Sequence, residues 1–222
     1  TGKLAYYLLR DKLARQDVVE PQYQQTRRAV LASPTATAAQ KLLAQYGLLL
    51  SATKTRDKKL GAEMVTALAA QKNPIIVRAI AANLRQRGQS QQALMLLKQA
   101  AVAHPQHLAL VLEMFSVYER LKQYKQALAM YRKLPAEVME HPDVLLAAGR
   151  IAAFLQQRVF SNYLLALGHA HNGNFEQAQK QITVAEKFKD GKTDTVVKLE
   201  KLKKDVTHEL RLLRERRVLE TN

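Results

Sequence analysis

The chain has 222 residues, 47% of them hydrophobic, no cysteine, and 35 Lys and Arg against 19 Asp and Glu, a formal net charge of +16. The lack of cysteine excludes disulfide frameworks, thiol nucleophiles and thiolate metal sites, and apolar runs such as that from Leu42 to Leu50 are cut short by Lys54, Arg56 and Asp57 before they could span a bilayer. Few glycines and prolines, low aromatic content and abundant Ala, Leu, Gln and Lys favour helix over strand, while the charge gives a long-range field that attracts acidic proteins, nucleic acid or anionic lipid without choosing among them.

Two helices are expected first, over about Lys3 to Gln16 and Glu20 to Ala32, with Pro21 at a tolerated first-turn position; residues 1–33 read as a degenerate helical hairpin. A first repeat follows, with Tyr46 and Leu50 on one helix, Ala62 and Ala69 on the next, and Asn73-Pro74 as its stop. The polar strip Lys54-Thr55-Arg56-Asp57-Lys58-Lys59 lies between those helices and reads as a solvated turn. Next come Gly88-Gln89-Ser90-Gln91-Gln92-Ala93-Leu94, closed by Ala100 and Pro105, then Tyr118, Tyr124, Ala127 and Tyr131, with Ala93 and Ala127 one 34-residue step apart. Gly173-Asn174-Phe175-Glu176-Gln177-Ala178 and Ala185 repeat the scheme after a helix from about Val159 to His171. Small residues recur because a larger side chain there would push paired helices beyond their usual approach of about 8–10 Å.

This period and its small-residue positions are those of tetratricopeptide (TPR) repeats. The fold class implied is all-α, a right-handed α-solenoid of TPR hairpins with irregular ends. Repeats occupy 34–190, and one additional helix near 143–157, announced by His141-Pro142-Asp143, accounts for the 51 residues between Ala127 and Ala178. Residues 191–222 form a basic C-terminal capping helix with an apolar stripe of Val197, Leu199, Leu202, Val206, Leu210 and Leu213. All of it is expected to form one continuous domain.

Chemistry is not evident in the chain. His169 and His171 are two apart on a helix and so point to different faces. The run His208-Glu209-Leu210-Arg211-Leu212 begins like the zincin H-E-x-x-H but has Leu212 where the second histidine is required. His104 and His107 straddle Pro105, at a helix end and the next start. Phosphate loops and nucleophile elbows are absent, and acid pairs such as Glu113 with Glu119 are expected on exposed helix faces. No catalytic residue, metal site or cofactor is therefore assigned. In stacked helical repeats the first helix of each unit lines the concave face, which in this register puts Lys54, Arg78, Arg85, Ser116, Glu119, Phe160 and Tyr163 forward as partner-binding residues. They are equally readable as residues packed against the chain's own termini.

Ala44-Gln45-Tyr46-Gly47, the turns before Ala93 and Ala127, the irregular helices before Gly173 and the basic Lys198 to Arg217 helix resemble the C-terminal domain of BepA-like (YfgC-like) bacterial zinc metallopeptidases, and Tyr6-Tyr7-Leu8-Leu9-Arg10 resembles its start. That family joins a zincin protease to a repeat domain in the Gram-negative periplasm. The resemblance implies a periplasmic protein-binding module without catalytic residues of its own, since H-E-x-x-H and the downstream acidic ligand are missing here. Its implied partners are its own protease domain, outer-membrane proteins or the β-barrel assembly machinery. The alternatives are a free-standing TPR scaffold of an envelope or secretion assembly, and nucleic-acid binding through the basic helix, which the scarcity of aromatics beside the basic residues disfavours.

Overall fold

A computed structural model describes residues 6–8 and 20–220, with side chains described through Arg216. The first expected helix, Lys3 to Gln16, thus lies largely outside the described residues. Among the described residues the fold is all-α, without strands, and no helix is long and apolar enough to cross a membrane. Contacts divide the chain into two compact units, 1–121 and 122–222, a division that the expectation of one continuous domain does not draw.

The first unit contains α1 (Glu20–Ala32), α2 (Ala38–Thr55), α3 (Lys58–Leu68), α4 (Pro74–Gln86), α5 (Ser90–Ala103) and α6 (Leu108–Arg120). Its helix starts are written in the sequence. Thr37 and Gln40 form a reciprocal capping box at α2, Asp57 Oδ1 accepts from Leu60 N at 3.0 Å to cap α3, and Asn73 Oδ1 accepts from Ile75 N at 3.0 Å to cap α4. Asn73-Pro74 therefore opens a helix in addition to closing the preceding repeat, because Pro at the first helical position forfeits no hydrogen bond. Helices α2 and α3 pair, as do α4 and α5, and α2, α4 and α6 lie side by side as one layer. Leu48, Leu49, Leu68, Ile76, Leu97 and Leu110 fill the interior; each such burial is worth about 1.5–3 kcal/mol.

The second unit contains α7 (Tyr124–Tyr131), the single turn α8 (Ala136–Met139), α9 (Pro142–Phe154), α10 (Arg158–His171), α11 (Phe175–Ala185) and α12 (Thr193–Glu220). His141 Nδ1 accepts from Asp143 N at 3.2 Å and starts α9. Helices α9 and α10 approach closely at two glycines: a Cβ on Gly149 would lie 2.8 Å from Leu165, and one on Gly168 would lie 3.0 Å from Leu146. The last three helices share a core of Val159, Ala166, Ala178, Ile182, Leu202 and Val206. The apolar stripe assigned to the terminal helix is only partly used, because Val197 is 60% and Leu213 36% exposed, while Leu199, Leu202 and Val206 are buried. Val197 is two residues from Leu199, a step of about 200° around a helix, so the two cannot share a face.

The repeat register is visible in atomic detail. Ala93, Ala127 and Ala178 are each the fourth residue of their helix, and each is completely buried. Two positions before a helix begins, the backbone turns left-handed at Arg56 (φ 59°), Gly88 (φ 85°), Lys122 (φ 56°), Gln156 (φ 57°) and Gly173 (φ 73°). Glycine adopts this conformation freely, and the other three residues do so at a cost.

Candidate partner-binding site

The layer of α2, α4 and α6 carries five of the seven residues put forward from the sequence, and their bonding separates them into distinct roles. Lys54 Nζ lies 2.9 Å from Glu20 Oε1, and Glu20 Oε2 accepts from Ser51 Oγ at 2.6 Å, so Lys54 fastens α1 to α2. Arg85 Nε donates to Glu113 Oε1 at 2.8 Å, with Arg78 Nε 4.0 Å from Oε2. Glu113 is 5% exposed, which corrects its expected position on an exposed face. The side-by-side approach of α4 and α6 encloses it, and a buried carboxylate persists only when paired and hydrogen-bonded. Arg85 is therefore first a structural partner. Ser116 Oγ donates to Leu112 O within its own helix, whereas Glu119 is exposed.

Phe160 and Tyr163 belong to the second unit, on α10, and both are half-buried. Tyr163 packs on the core shared by α10, α11 and α12. Burial pushes its phenol up, Asp194 and Glu140 add to the shift, and Lys198 opposes it. Burial likewise pushes Tyr131 up to about 12. The second unit thus uses Tyr163 as an inward-facing, protonated aromatic. Within this unit Asp190 reaches back to accept from Arg158 N at 2.6 Å and Val159 N at 3.2 Å, capping α10 from the loop before α12.

What the sequence reading missed is a cleft of about 570 Å³ in the first unit, where the ends of α2, α4 and α6 meet the start of α3. Five cations line it: Arg56, Lys58, Arg85, Arg87 and Arg120. Its floor is held by a short network in which Asn83 Nδ2 donates to Thr53 Oγ1 at 2.9 Å, Thr53 Oγ1 donates to Leu49 O at 2.8 Å, and Gln86 Nε2 donates to Thr53 O at 2.7 Å. Asn83 is 1% exposed, with its amide against Gly61, where a Cβ would come within 2.8 Å. The strip from Lys54 to Lys59 is thus more than a solvated turn: Arg56 and Lys58 form part of the cleft wall. One sequence signal marked the place, a cation at the end of each first helix, at Arg56, Arg87 and Arg120.

Residues 84–151 match the tetratricopeptide repeat family model. No curated protein matches the chain. The matched segment includes the Ala93 and Ala127 register and most of α9, and repeats of this type are protein–protein interaction modules.

Proposed function

We propose that this chain seats a segment of a partner protein on the layer formed by α2, α4 and α6, and that it does so without chemistry of its own. The observation that carries the reading is that layer: three helices side by side, apolar beneath, with polar and charged side chains such as Arg78, Glu119 and Arg120 on its accessible surface. A peptide laid across such a layer meets side chains from several helices at once, which gives specificity through many small contacts.

The narrower form of the proposal places the chain in the periplasm, as the partner-positioning portion of a BepA-like metallopeptidase acting in outer-membrane protein quality control. Its support is the sequence resemblance alone. A zincin domain encoded immediately before Thr1 would favour this form, and a short reading frame with its own secretory leader would favour a free-standing envelope scaffold.

The binding surface is tested by placing a photo-crosslinking residue at Glu119, on α6, or at Val102, which is 84% exposed on α5. Discrete adducts with protein partners are expected from Glu119 and not from Val102. Equal labelling from both positions, or none from Glu119, would remove the reading.

A further inference from the structure

We infer that the cleft between the ends of α2, α4 and α6 receives an acidic peptide segment that presents two carboxylates. The inference rests on the reading of this layer as a protein-binding surface and names the chemistry of what binds there.

Four of the five cations of the cleft are not consumed internally. Lys54, Arg78 and Arg85 have carboxylate partners within the first unit, whereas Arg56, Lys58, Arg87 and Arg120 form no ion pair among the described residues. Nor is a supply of carboxylates at hand. Residues 21–112 hold twelve Lys and Arg but two acids, Asp57 and Glu63, and Asp57 already caps α3.

Basic residues near helix ends also offset the negative pole of the helix, so that term has to be weighed. Three helix ends supply roughly half a negative charge each. Glu113 pairs with Arg85, and the Asp57 carboxylate in the lining offsets one further charge without forming an ion pair among the described residues. With about half a positive charge from the start of α3 added back, roughly two positive charges stay unmatched, which two carboxylates would balance.

The geometry suits a carboxylate better than a point anion. Three of the four unpaired cations are arginines, whose planar forks take carboxylates through two parallel hydrogen bonds. The volume falls within the range of about 300–1,000 Å³ typical of defined binding pockets. The network through Thr53, Asn83 and Gln86 fixes the floor before anything binds, which lowers the ordering cost of association.

A nucleic acid fits less well. Aromatic side chains are absent from the lining, so unpaired bases would have no surface on which to stack. The remaining polar side chains are the Thr53 hydroxyl and the Asn83 and Gln86 amides, which match a peptide backbone, and the Asp57 carboxylate, which is held at the start of α3 by Leu60 N.

The test is fluorescence anisotropy on the full chain, with a labelled peptide rich in Asp and Glu and its Asn/Gln counterpart as probes. The acidic peptide should bind and the neutral one should not. Arg87→Gln with Arg120→Gln should weaken binding at least tenfold, whereas Lys41→Gln with Lys72→Gln, which removes the same charge from the same unit, should weaken it less than twofold. Should the first pair lower the unfolding midpoint, Arg56→Gln with Arg120→Gln replaces it. Equal losses from both pairs would reduce the effect to the long-range field and overturn the inference. So would displacement of the peptide by single-stranded oligothymidine at a lower concentration than by unlabelled peptide. If the peptide does not bind while Glu119 still crosslinks to partners, the acidic-segment inference falls alone; if both fail, the protein-binding reading falls with it.

Discussion

Replacing Arg85 by Met tests whether Glu113 depends on its partner. Methionine keeps the apolar stem but removes the Nε donor 2.8 Å from Glu113 Oε1, and a carboxylate that is 5% exposed is then left with Arg78 at 4.0 Å. Removing one member of a buried pair typically costs about 3–5 kcal/mol. Arg85 itself is one third exposed and Arg78 supplies some compensation, so about 2–3 kcal/mol is expected here. For a chain of this length each kcal/mol lowers the melting temperature by about 2–4 °C, giving a drop of about 4–12 °C by far-UV circular dichroism. The double variant Arg85→Met, Glu113→Leu removes both charges and should return to within about 1 kcal/mol of the parent. A single variant within about 2 °C of the parent, or a double variant no more stable than the single, would refute the assignment of Glu113 as a buried, partner-dependent carboxylate. The result also bears on binding experiments, since reversing Arg85 to Glu would damage the fold as well as the surface.

Asp190→Ala removes both acceptors at the start of α10 and should cost about 1–2 kcal/mol, seen as faster amide hydrogen exchange at Arg158 and Val159, by about tenfold; unchanged exchange there would show that the cap is dispensable. Gly61→Ala drives a Cβ to 2.8 Å from the Asn83 amide and should lower the urea midpoint by the equivalent of about 1–3 kcal/mol, with Gly61→Ala, Asn83→Ala recovering part of the loss because the obstructing atoms are gone. Burial lowers the His107 pKa, with its own backbone opposing and His104 and Arg78 adding to the shift. Its unfolded form therefore takes up a proton more readily than its folded form, and stability should fall as pH drops below about 6.5, the unfolded value. His107→Gln should flatten that part of the pH profile relative to the parent, and parallel profiles would remove His107 as the cause.

The sequence made the hairpins legible because their determinants are local or periodic. Ala93 and Ala127 could be placed from their spacing and Ala178 from the repeated pattern around it, Gly88 and Gly173 fell at turns that are left-handed, and His141-Pro142-Asp143 marked a fresh helix. The turns at Arg56, Lys122 and Gln156 could not be read in the same way, since none of those residues favours the left-handed region. The site was less legible than the fold. Glu113 lies on an amphipathic helix whose neighbour across the layer cannot be inferred from its own period, so its burial and its claim on Arg85 appear only once α4 and α6 are side by side. The cleft draws its cations from the ends of helices far apart in the chain, and a run that looks like a polar turn becomes a wall only when those ends converge. The left-out apolar positions of α12 are a smaller instance: Val197 belongs to the apolar count of the helix but not to its buried face.

Three of the hairpin corners are taken by residues whose side chains resist that backbone shape, at a cost of about 1–2 kcal/mol apiece. Such corners survive because the helices on either side dictate the bend, which leaves the corner residue open to selection for something other than local ease. At Lys122 and Gln156 a glycine should make the chain sturdier with little other effect. At position 56 the same exchange would relax the bend while stripping a guanidinium from the cleft rim, so steadiness and recognition pull that one residue in opposite directions.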